Sequence, residues 1–258
     1  MIALAAVLLM SAASVGWGAG VLRFLGVRTL SPVEHTAWSF TLGVGTLGWI
    51  GFVLALGGLL ATGWLASACV AGLIGLVWWP RPRWAAGIRQ TPWTWLLFVV
   101  IGGLVIGDVI EALAPPSDAD SLAYHFATPR LFLDAGRLFF IPRASDGAAP
   151  LLQQMTYLIA MGLGGERALT LWTMIGGWGI GLLIYAACRR WLPVTWSLAA
   201  AITFVSIPAM LYSGGTGQVE PRNAMFVLVG ALAVAEARRG QQLRFALVAG
   251  LCAGFFMA

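Results

Sequence analysis

Long apolar stretches separated by short connections run through this sequence from end to end. They lie near 2–22, 36–57, 62–79, 94–113, 167–188, 194–213, 223–238 and 243–258. A bilayer core about 30 Å thick needs about 20 apolar residues in each helix that crosses it. Only 10% of the residues are charged, whereas a soluble domain carries about 25%. The sequence therefore predicts an all-α polytopic membrane protein with about eight transmembrane helices.

One further apolar stretch, 150–163, is too short to cross a bilayer easily. It also carries two adjacent amide side chains, Gln153 and Gln154. We therefore expect an interfacial or re-entrant helix at this place.

The distribution of charge predicts the orientation in the membrane. Ten of the fifteen basic residues, all arginine, fall in four short connections on the same side of the predicted bundle: Arg23, Arg28, Arg81, Arg83, Arg89, Arg189, Arg190, Arg238, Arg239 and Arg244. With Glu34 and Glu236, that side has a net charge of +8. Cytoplasmic loops carry such an excess, so we expect a cytoplasmic (inner) membrane protein whose N-terminus lies outside. This dispersed charge does not favour a nucleic-acid partner.

Two glycine-rich segments lie inside predicted spans. Gly43–Gly48 matches the GxGxxG string of dinucleotide sites, but that string has its meaning only between a strand and a helix. Small residues allow helices in lipid to pack closely. We interpret this string, and the cluster at Gly176, Gly177, Gly179 and Gly181, as helix-packing surfaces.

A polar loop of roughly thirty-five residues follows the fourth span on the predicted outer side. It contains four of the ten acidic residues and one of the two histidines. Its first residues, 115–125, read Pro-Pro-Ser-Asp-Ala-Asp-Ser-Leu-Ala-Tyr-His. Carboxylates gathered at one mouth of a membrane bundle favour chemistry or binding there.

The local pattern also allows a purely structural interpretation of these acids. Ser117 is a plausible helix N-cap with Asp120 three residues later, where a capping-box acid lies. A helix starting there would place Asp120 one turn from Tyr124, and Ser121 one turn from His125, until Pro129 interrupts it.

Arginines follow this acidic segment at Arg130, Arg137 and Arg143. Arginine binds phosphate well, and a carboxylate can accept a proton. The arrangement suits a substrate with a phosphate and a hydroxyl group. Lipid headgroup contact, or pairing with Asp134 and Asp146, is the alternative for these arginines.

The order of these features resembles the GT-C superfamily of integral-membrane glycosyltransferases. The resemblance rests on Pro-Pro-x-x-x-Asp-x-Leu-x-Tyr-His at 115–125, Pro129-Arg130, Gly136, and an apolar helix ending in Gly-Gly-Glu-Arg at 164–167. It covers roughly residues 94–258, the N-terminal half of such an enzyme. Relatives include protein O-mannosyltransferases and aminoarabinose transferases.

The resemblance implies an inverting transfer of a sugar from a polyprenyl-phosphate donor. It assigns the catalytic base to Asp120, with Asp118 as a second acid, His125 nearby, and Glu220 in a second outer loop. Tyr124, Arg130, Arg137 and Arg222 are then candidate substrate-binding residues. No cofactor is implied, and a divalent metal at Asp118 and Asp120 is an alternative.

The resemblance also divides the chain. Residues 1–93 form an extra N-terminal three-helix bundle, and 94–258 form a GT-C-like core that we expect to be incomplete at its C-terminus. A second hypothesis is a non-catalytic GT-C-derived subunit of a larger membrane assembly. It is favoured by the short last span and by Glu220-Pro221, where an aspartate-led pattern is expected. Membrane lipids and other membrane subunits are the expected partners in either case.

Overall fold

The computed structural model describes residues 1–80, 91–142, 152–214, 216–240 and 242–258. Within these ranges every regular element is helical. The helices are α1 (Ile2–Phe24), α2 (Pro32–Leu56), α3 (Thr62–Leu73), α4 (Pro92–Leu113), α5 (Ala127–Ala135), α6 (Leu152–Gly164), α7 (Glu166–Cys188), α8 (Val194–Val205), α9 (Pro208–Tyr212), α10 (Glu220–Gly240) and α11 (Leu243–Met257).

Four of these helices, α1, α2, α4 and α7, are long and apolar enough to cross a membrane. Three shorter apolar helices accompany them: α3 with the 3₁₀ turn that continues it to Trp78, α8 and α11. A helix rises 1.5 Å per residue, so the twelve residues of α8 span about 18 Å, less than a bilayer core of about 30 Å. The described chain is thus an all-helical protein with four candidate membrane spans.

Close backbone contact through glycine holds α1 against α2. A Cβ atom added to Gly43 would overlap the backbone carbonyl of Ser14, and one added to Gly18 would overlap that of Ser39. Gly48 faces Leu152 of α6 in the same way. The GxGxxG string is therefore a helix-packing surface, as predicted.

The glycine cluster in α7 follows the prediction at three of its four positions. Gly176 faces Arg222, Gly179 faces Phe40 and Met225, and Gly181 faces Val205. Gly177 differs, because a Cβ there would meet no described atom within 4 Å.

The short apolar helix α6 lies inside the bundle. All its residues from Leu152 to Ala160 are buried, against α1, α2, α3, α5 and α7. The helix is therefore packed on several sides by protein, and its interfacial or re-entrant position in the membrane stays a prediction. Its two glutamines are buried with it and form hydrogen bonds across to neighbouring elements.

Three arginine-containing connections meet at one end of the bundle. Arg190, after α7, forms ion pairs with Glu34 at the start of α2 and, at 2.5 Å, with Glu236 near the end of α10. Arg244 of α11 donates to the carbonyl of Gly26, 3.0 Å away, after α1. The connection with Arg81, Arg83 and Arg89 lies outside the described residues. The remaining connections of the predicted basic side are thus close in space.

One hydrophobic core runs through both predicted parts of the chain. It contains buried residues of α1 and α2 together with those of α6, α7, α10 and α11. Helices α6 and α7 pack directly on α1 and α2. The hydrophobic core is continuous across residue 93. The division of the chain at that residue stays a prediction.

Candidate functional site

The polar segment after α4 begins with a helix start, one residue later than the sequence predicts. The side chain of Asp118, not of Ser117, accepts a hydrogen bond from a backbone N–H, that of Ser121 at 2.9 Å. A π-helical turn, Ser121–His125, then leads to α5. Pro129 lies in the first turn of α5 rather than ending a helix, because the first-turn N–H that proline lacks has no partner within the helix.

Asp118 lies at the centre of a hydrogen-bond cluster. Its Oδ2 accepts from the hydroxyl of Ser121 at 2.7 Å and from the amide of Gln218 at 3.4 Å, while its Oδ1 accepts from the hydroxyl of Tyr212. The amide of Gln218 also reaches Oδ2 of Asp120 at 3.4 Å. The two carboxylates therefore share one amide donor, and the bonds from Ser121 and Tyr212 go to Asp118.

The hydrogen bonds divide the roles of the two aspartates. Partial burial raises the pKa of Asp118, but the hydrogen bonds from Tyr212, Ser121 and Gln218 outweigh it, so the pKa lies below its ordinary value. The ionised form of Asp118 is thus favoured, and its hydrogen bonds position Ser121, Gln218 and Tyr212. Asp120 is exposed and has only the long contact with Gln218 among these side chains. Its carboxylate is the one open to an incoming group.

We expect Tyr212→Phe to raise the pKa of Asp118. The change removes one hydrogen bond to the ionised form, so the pKa should move towards the ordinary value of about 3.9. Since the folded pKa is lowered, Asp118 stabilises the folded connection above its unfolded pKa, and this contribution disappears as the pH falls through the folded value. The variant should shift that loss to higher pH, as followed by carboxyl ¹³C NMR.

Tyr185→Phe, at the opposite end of the bundle, is the matched control and should leave the Asp118 titration unchanged. An unaltered Asp118 pKa in Tyr212→Phe would contradict the hydrogen bond.

Arg222 holds three described residues of the second loop, Ser213, Thr216 and Gln218, from inside. Its Nη2 donates to the carbonyls of Ser213 at 3.2 Å and Thr216 at 3.1 Å, and its Nη1 donates to the carbonyl of Gln218. Its guanidinium lies 5.7 Å from the centre of the Tyr157 ring. The side chain organises the loop that presents Gln218 to the aspartates.

Arg222 is consequently placed differently from a substrate-binding arginine. Only 2% of its surface is exposed, and its Nη1 and Nη2 groups are occupied by backbone carbonyls. No ion pair joins it to a carboxylate of the described residues. Its positive charge affects the electrostatic potential at the site, but its N–H groups are not accessible to a ligand as hydrogen-bond donors.

His125 connects the π-helical turn to α6. Its Nδ1 lies 3.0 Å from the amide nitrogen of Gln154, and its ring contacts that of Tyr124 at 4.1 Å between centroids. Its Nε2 is buried and has no hydrogen-bond partner among the described residues. Burial lowers the pKa of His125 and outweighs the opposing effect of Glu220 and the smaller ones of Asp120 and Asp118, while Arg222 also lowers it, so the neutral imidazole is favoured.

A polar cavity of about 170 Å³ lies beside His125, between the π-helical turn, α6, α10 and α11. We call it the His125 cavity. It is lined by Tyr124, His125, Leu152, Gln153, Gln154, Val219, Glu220, Asn223, Phe255, Phe256 and Ala258. Three of the predicted site residues therefore meet at one cavity: Tyr124, His125 and Glu220.

An apolar groove of about 330 Å³ lies between α4, α7 and α8. Its walls include Phe98, Trp178, Tyr185 and Val205. Trp178 donates at 2.7 Å to Asp108, which lines a small adjoining space that also includes Trp178 and Val205. The groove therefore runs along the bundle towards the end that carries the polar site.

Two of the predicted arginines, Arg130 on α5 and Arg137 just after it, lie outside this cluster. Arg130 is exposed and forms an ion pair with Glu166 at 2.6 Å, rather than with Asp134. Exposed pairs of this kind contribute about 0–1 kcal/mol. Arg137 is exposed just after Gly136, whose φ of +68° ends α5 in the left-handed conformation. Arg143 and Asp146 fall outside the described residues.

The described residues form no group of three or more His, Cys, Asp or Glu side chains suited to a metal ion. A divalent ion at Asp118 and Asp120 would share Asp118 with the hydrogen bonds from Ser121, Gln218 and Tyr212. Oxygen-rich shells of six or more ligands are usual for Mg²⁺ and Ca²⁺.

The site residues that are distant from the aspartates in the sequence were not predicted. Tyr212 and Gln218 reach the aspartates across about a hundred residues, and no local pattern marks them. Gln154 did carry a signal, because an amide pair inside an apolar stretch is unusual. Asn223 lacks such a signal, since it opens α10 next to Arg222.

Comparisons with known protein families, with curated proteins and with solved structures find no match to this chain.

Proposed function

We propose that this protein is a membrane glycosyltransferase of the GT-C type, which moves a sugar from a polyprenyl-phosphate donor to an acceptor hydroxyl on the outer face. The observation that carries the proposal is the contrast between Asp118 and Asp120. One carboxylate is held by several donors, and its neighbour is exposed at the end of an apolar bundle.

Asp120 would act as the general base. The acceptor O–H transfers its proton to the carboxylate as its oxygen bonds to the anomeric carbon. The bond from that carbon to the phosphate oxygen breaks, and the lipid phosphate leaves with the electron pair. Such proton transfer contributes about 10²–10⁴-fold to a rate. Asp118 is a positioning residue, which fixes Ser121 and Gln218.

The apolar groove supports a lipid-linked donor. Its volume of about 330 Å³ lies within the range of about 300–1,000 Å³ that is usual for ligand sites. A polyprenyl chain along α4, α7 and α8 would leave its phosphate at the polar end. Exposed Arg130 and Arg137, and the field of buried Arg222, would then offset the phosphate charge.

We further propose the topology in which this chemistry takes place. Eight crossings, in which α8 with α9 form one broken span and α3 with its 3₁₀ turn form another, put the Arg190 end in the cytoplasm. The protein would lie in the cytoplasmic (inner) membrane with its N-terminus and the Asp118–His125 segment outside. The net charge of +8 on the opposite side supports this orientation.

This topology predicts a labelling pattern in intact cells. A cysteine at exposed Ser117 should react with an impermeant thiol reagent added outside, and one at exposed Thr29 should react only after permeabilisation. Both are placed in a chain with Cys69, Cys188 and Cys252 replaced by serine. Labelling of Thr29→Cys from outside would reverse the orientation.

A second candidate is a non-catalytic subunit of a membrane assembly. One observation favours it: most of the apolar surface of α4 is uncovered. Only 11% of the most apolar stretch of α4 is buried, whereas 44–61% of the corresponding stretches is buried in the other candidate spans. A partner helix would cover that surface. In this case the protein would co-purify with a partner and show no turnover of its own.

The direct test is donor turnover by the purified full-length protein in nanodiscs. Radiolabelled polyprenyl-phosphate sugars are supplied with a membrane extract as the acceptor source, and release of free polyprenyl phosphate is measured. Release above that of empty nanodiscs supports the transferase. No release from any donor, together with a stable partner on α4, would favour the subunit.

A further inference from the structure

We propose that the His125 cavity binds one neutral sugar ring through its hydroxyl groups. This inference rests on the proposed function, since it names which part of a transferase substrate this cavity would hold. It assigns Asn223 a ligand-binding role and Gln154 the role of orienting His125, neither of which the sequence analysis assigned.

The hydrogen bond between Gln154 and His125 decides the chemistry of the imidazole. An amide nitrogen only donates, so His125 Nδ1 accepts, and the neutral ring carries its proton on Nε2. That N–H has no partner in the described part of the chain. A ligand oxygen is the natural acceptor for it, because a buried donor without a partner is unfavourable.

The other polar groups of the cavity supply both hydrogen-bond donors and acceptors. Asn223 lines the cavity with an amide, which also accepts from Gln153 at 3.2 Å. Glu220 supplies a carboxylate, which only accepts. A hydroxyl both donates and accepts, so several hydroxyls on one ring can match an imidazole N–H, an amide and a carboxylate together.

The charge of the cavity selects against anions. Glu220 is the formally charged side chain among the described lining residues, whereas Arg222 lies outside the lining, with its Nη groups on backbone carbonyls and its Nε buried. A phosphate or a uronate would meet a carboxylate and no free cationic donor among the described lining residues. The ligand portion is therefore neutral, and a donor's phosphate would bind elsewhere.

The size and the walls of the cavity limit the ligand to a single ring. At about 170 Å³ the cavity is smaller than the usual range of about 300–1,000 Å³ for larger ligands. Tyr124, Phe255 and Phe256 form apolar walls. A pyranose has the matching surface, with C–H groups on its faces and hydroxyls around its edge.

Saturation-transfer NMR on the full-length protein in nanodiscs tests the proposal without any lipid donor. The probes are the methyl pyranosides of glucose, mannose and galactose, and the matching methyl hexuronates. We expect transfer to at least one neutral pyranoside and none to the hexuronates. Asn223→Leu and His125→Phe should each weaken the binding by about tenfold or more, as expected for a lost buried hydrogen bond. Ser67→Ala, an exposed hydroxyl on α3, should leave it unchanged.

The two variants are compared only where their melting temperatures match that of the parent protein, and Asn223→Leu suffices if His125→Phe fails to fold. No transfer to any neutral pyranoside, or equal transfer in Asn223→Leu, would overturn the proposal. Preference for hexuronates would overturn it as well. Binding of a neutral pyranoside without turnover of any polyprenyl donor would instead support the sugar-binding site and contradict the proposed transferase activity.

Discussion

Asp120→Asn is expected to reduce sugar transfer by about 10²–10⁴-fold, because an amide cannot accept the acceptor proton. The variant should fold and insert as the parent protein does, since Asp120 is exposed and has only a 3.4 Å contact with Gln218 in the Asp118 cluster. Polyprenyl-phosphate release by matched amounts of each protein in nanodiscs measures the effect.

Two control variants accompany Asp120→Asn. Asp134→Asn removes an exposed carboxylate on α5, away from the cluster, and should leave the rate unchanged. Asp118→Asn should have a milder effect than Asp120→Asn, because it disturbs positioning and leaves the base in place. Full activity in Asp120→Asn would return Asp120 to the role of an acid near a helix start.

Gly43→Ala is expected to destabilise the bundle strongly. The added Cβ would overlap the backbone carbonyl of Ser14, and neither α1 nor α2 can move away without losing the contact at Gly18 and Ser39. Overpacking of this kind typically costs about 1–3 kcal/mol, and a clash with backbone lies at the upper end. The melting temperature of the purified protein should fall clearly.

Gly102→Ala in α4 is the matched control. A Cβ there would meet nothing within 4 Å in the described structure, and alanine is the better helix former. Its melting temperature should equal or exceed that of the parent. Equal melting temperatures for Gly43→Ala and Gly102→Ala would contradict the close packing of α1 on α2.

The helices could be predicted well from the sequence because apolar length is a local property. The predicted stretches near 2–22, 94–113 and 167–188 correspond to α1, α4 and α7 within a few residues. The prediction was less good where a stretch contains a break. The stretch 194–213 contains Pro208, which begins α9 and leaves α8 only twelve residues long.

The candidate site could be predicted only in part. The acidic segment stood out because carboxylates are rare in an apolar sequence, and its tyrosine and histidine do line a cavity. Its helix start moved by one residue because two caps, Ser117 and Asp118, compete locally. The backbone N–H of Ser121 selects Asp118.

The sequence by itself determined the helical, membrane-type character of this protein and the place of its polar segment, since both follow from the composition of short windows. Only the tertiary structure decided which aspartate accepts several hydrogen bonds and which is exposed. Tyr212 and Gln218 lie about a hundred residues from Asp118 in the chain. Likewise, only the folded loop shows that Arg222 faces backbone carbonyls. Contacts at such separations depend on how whole helices pack, and no local pattern of residues encodes that packing.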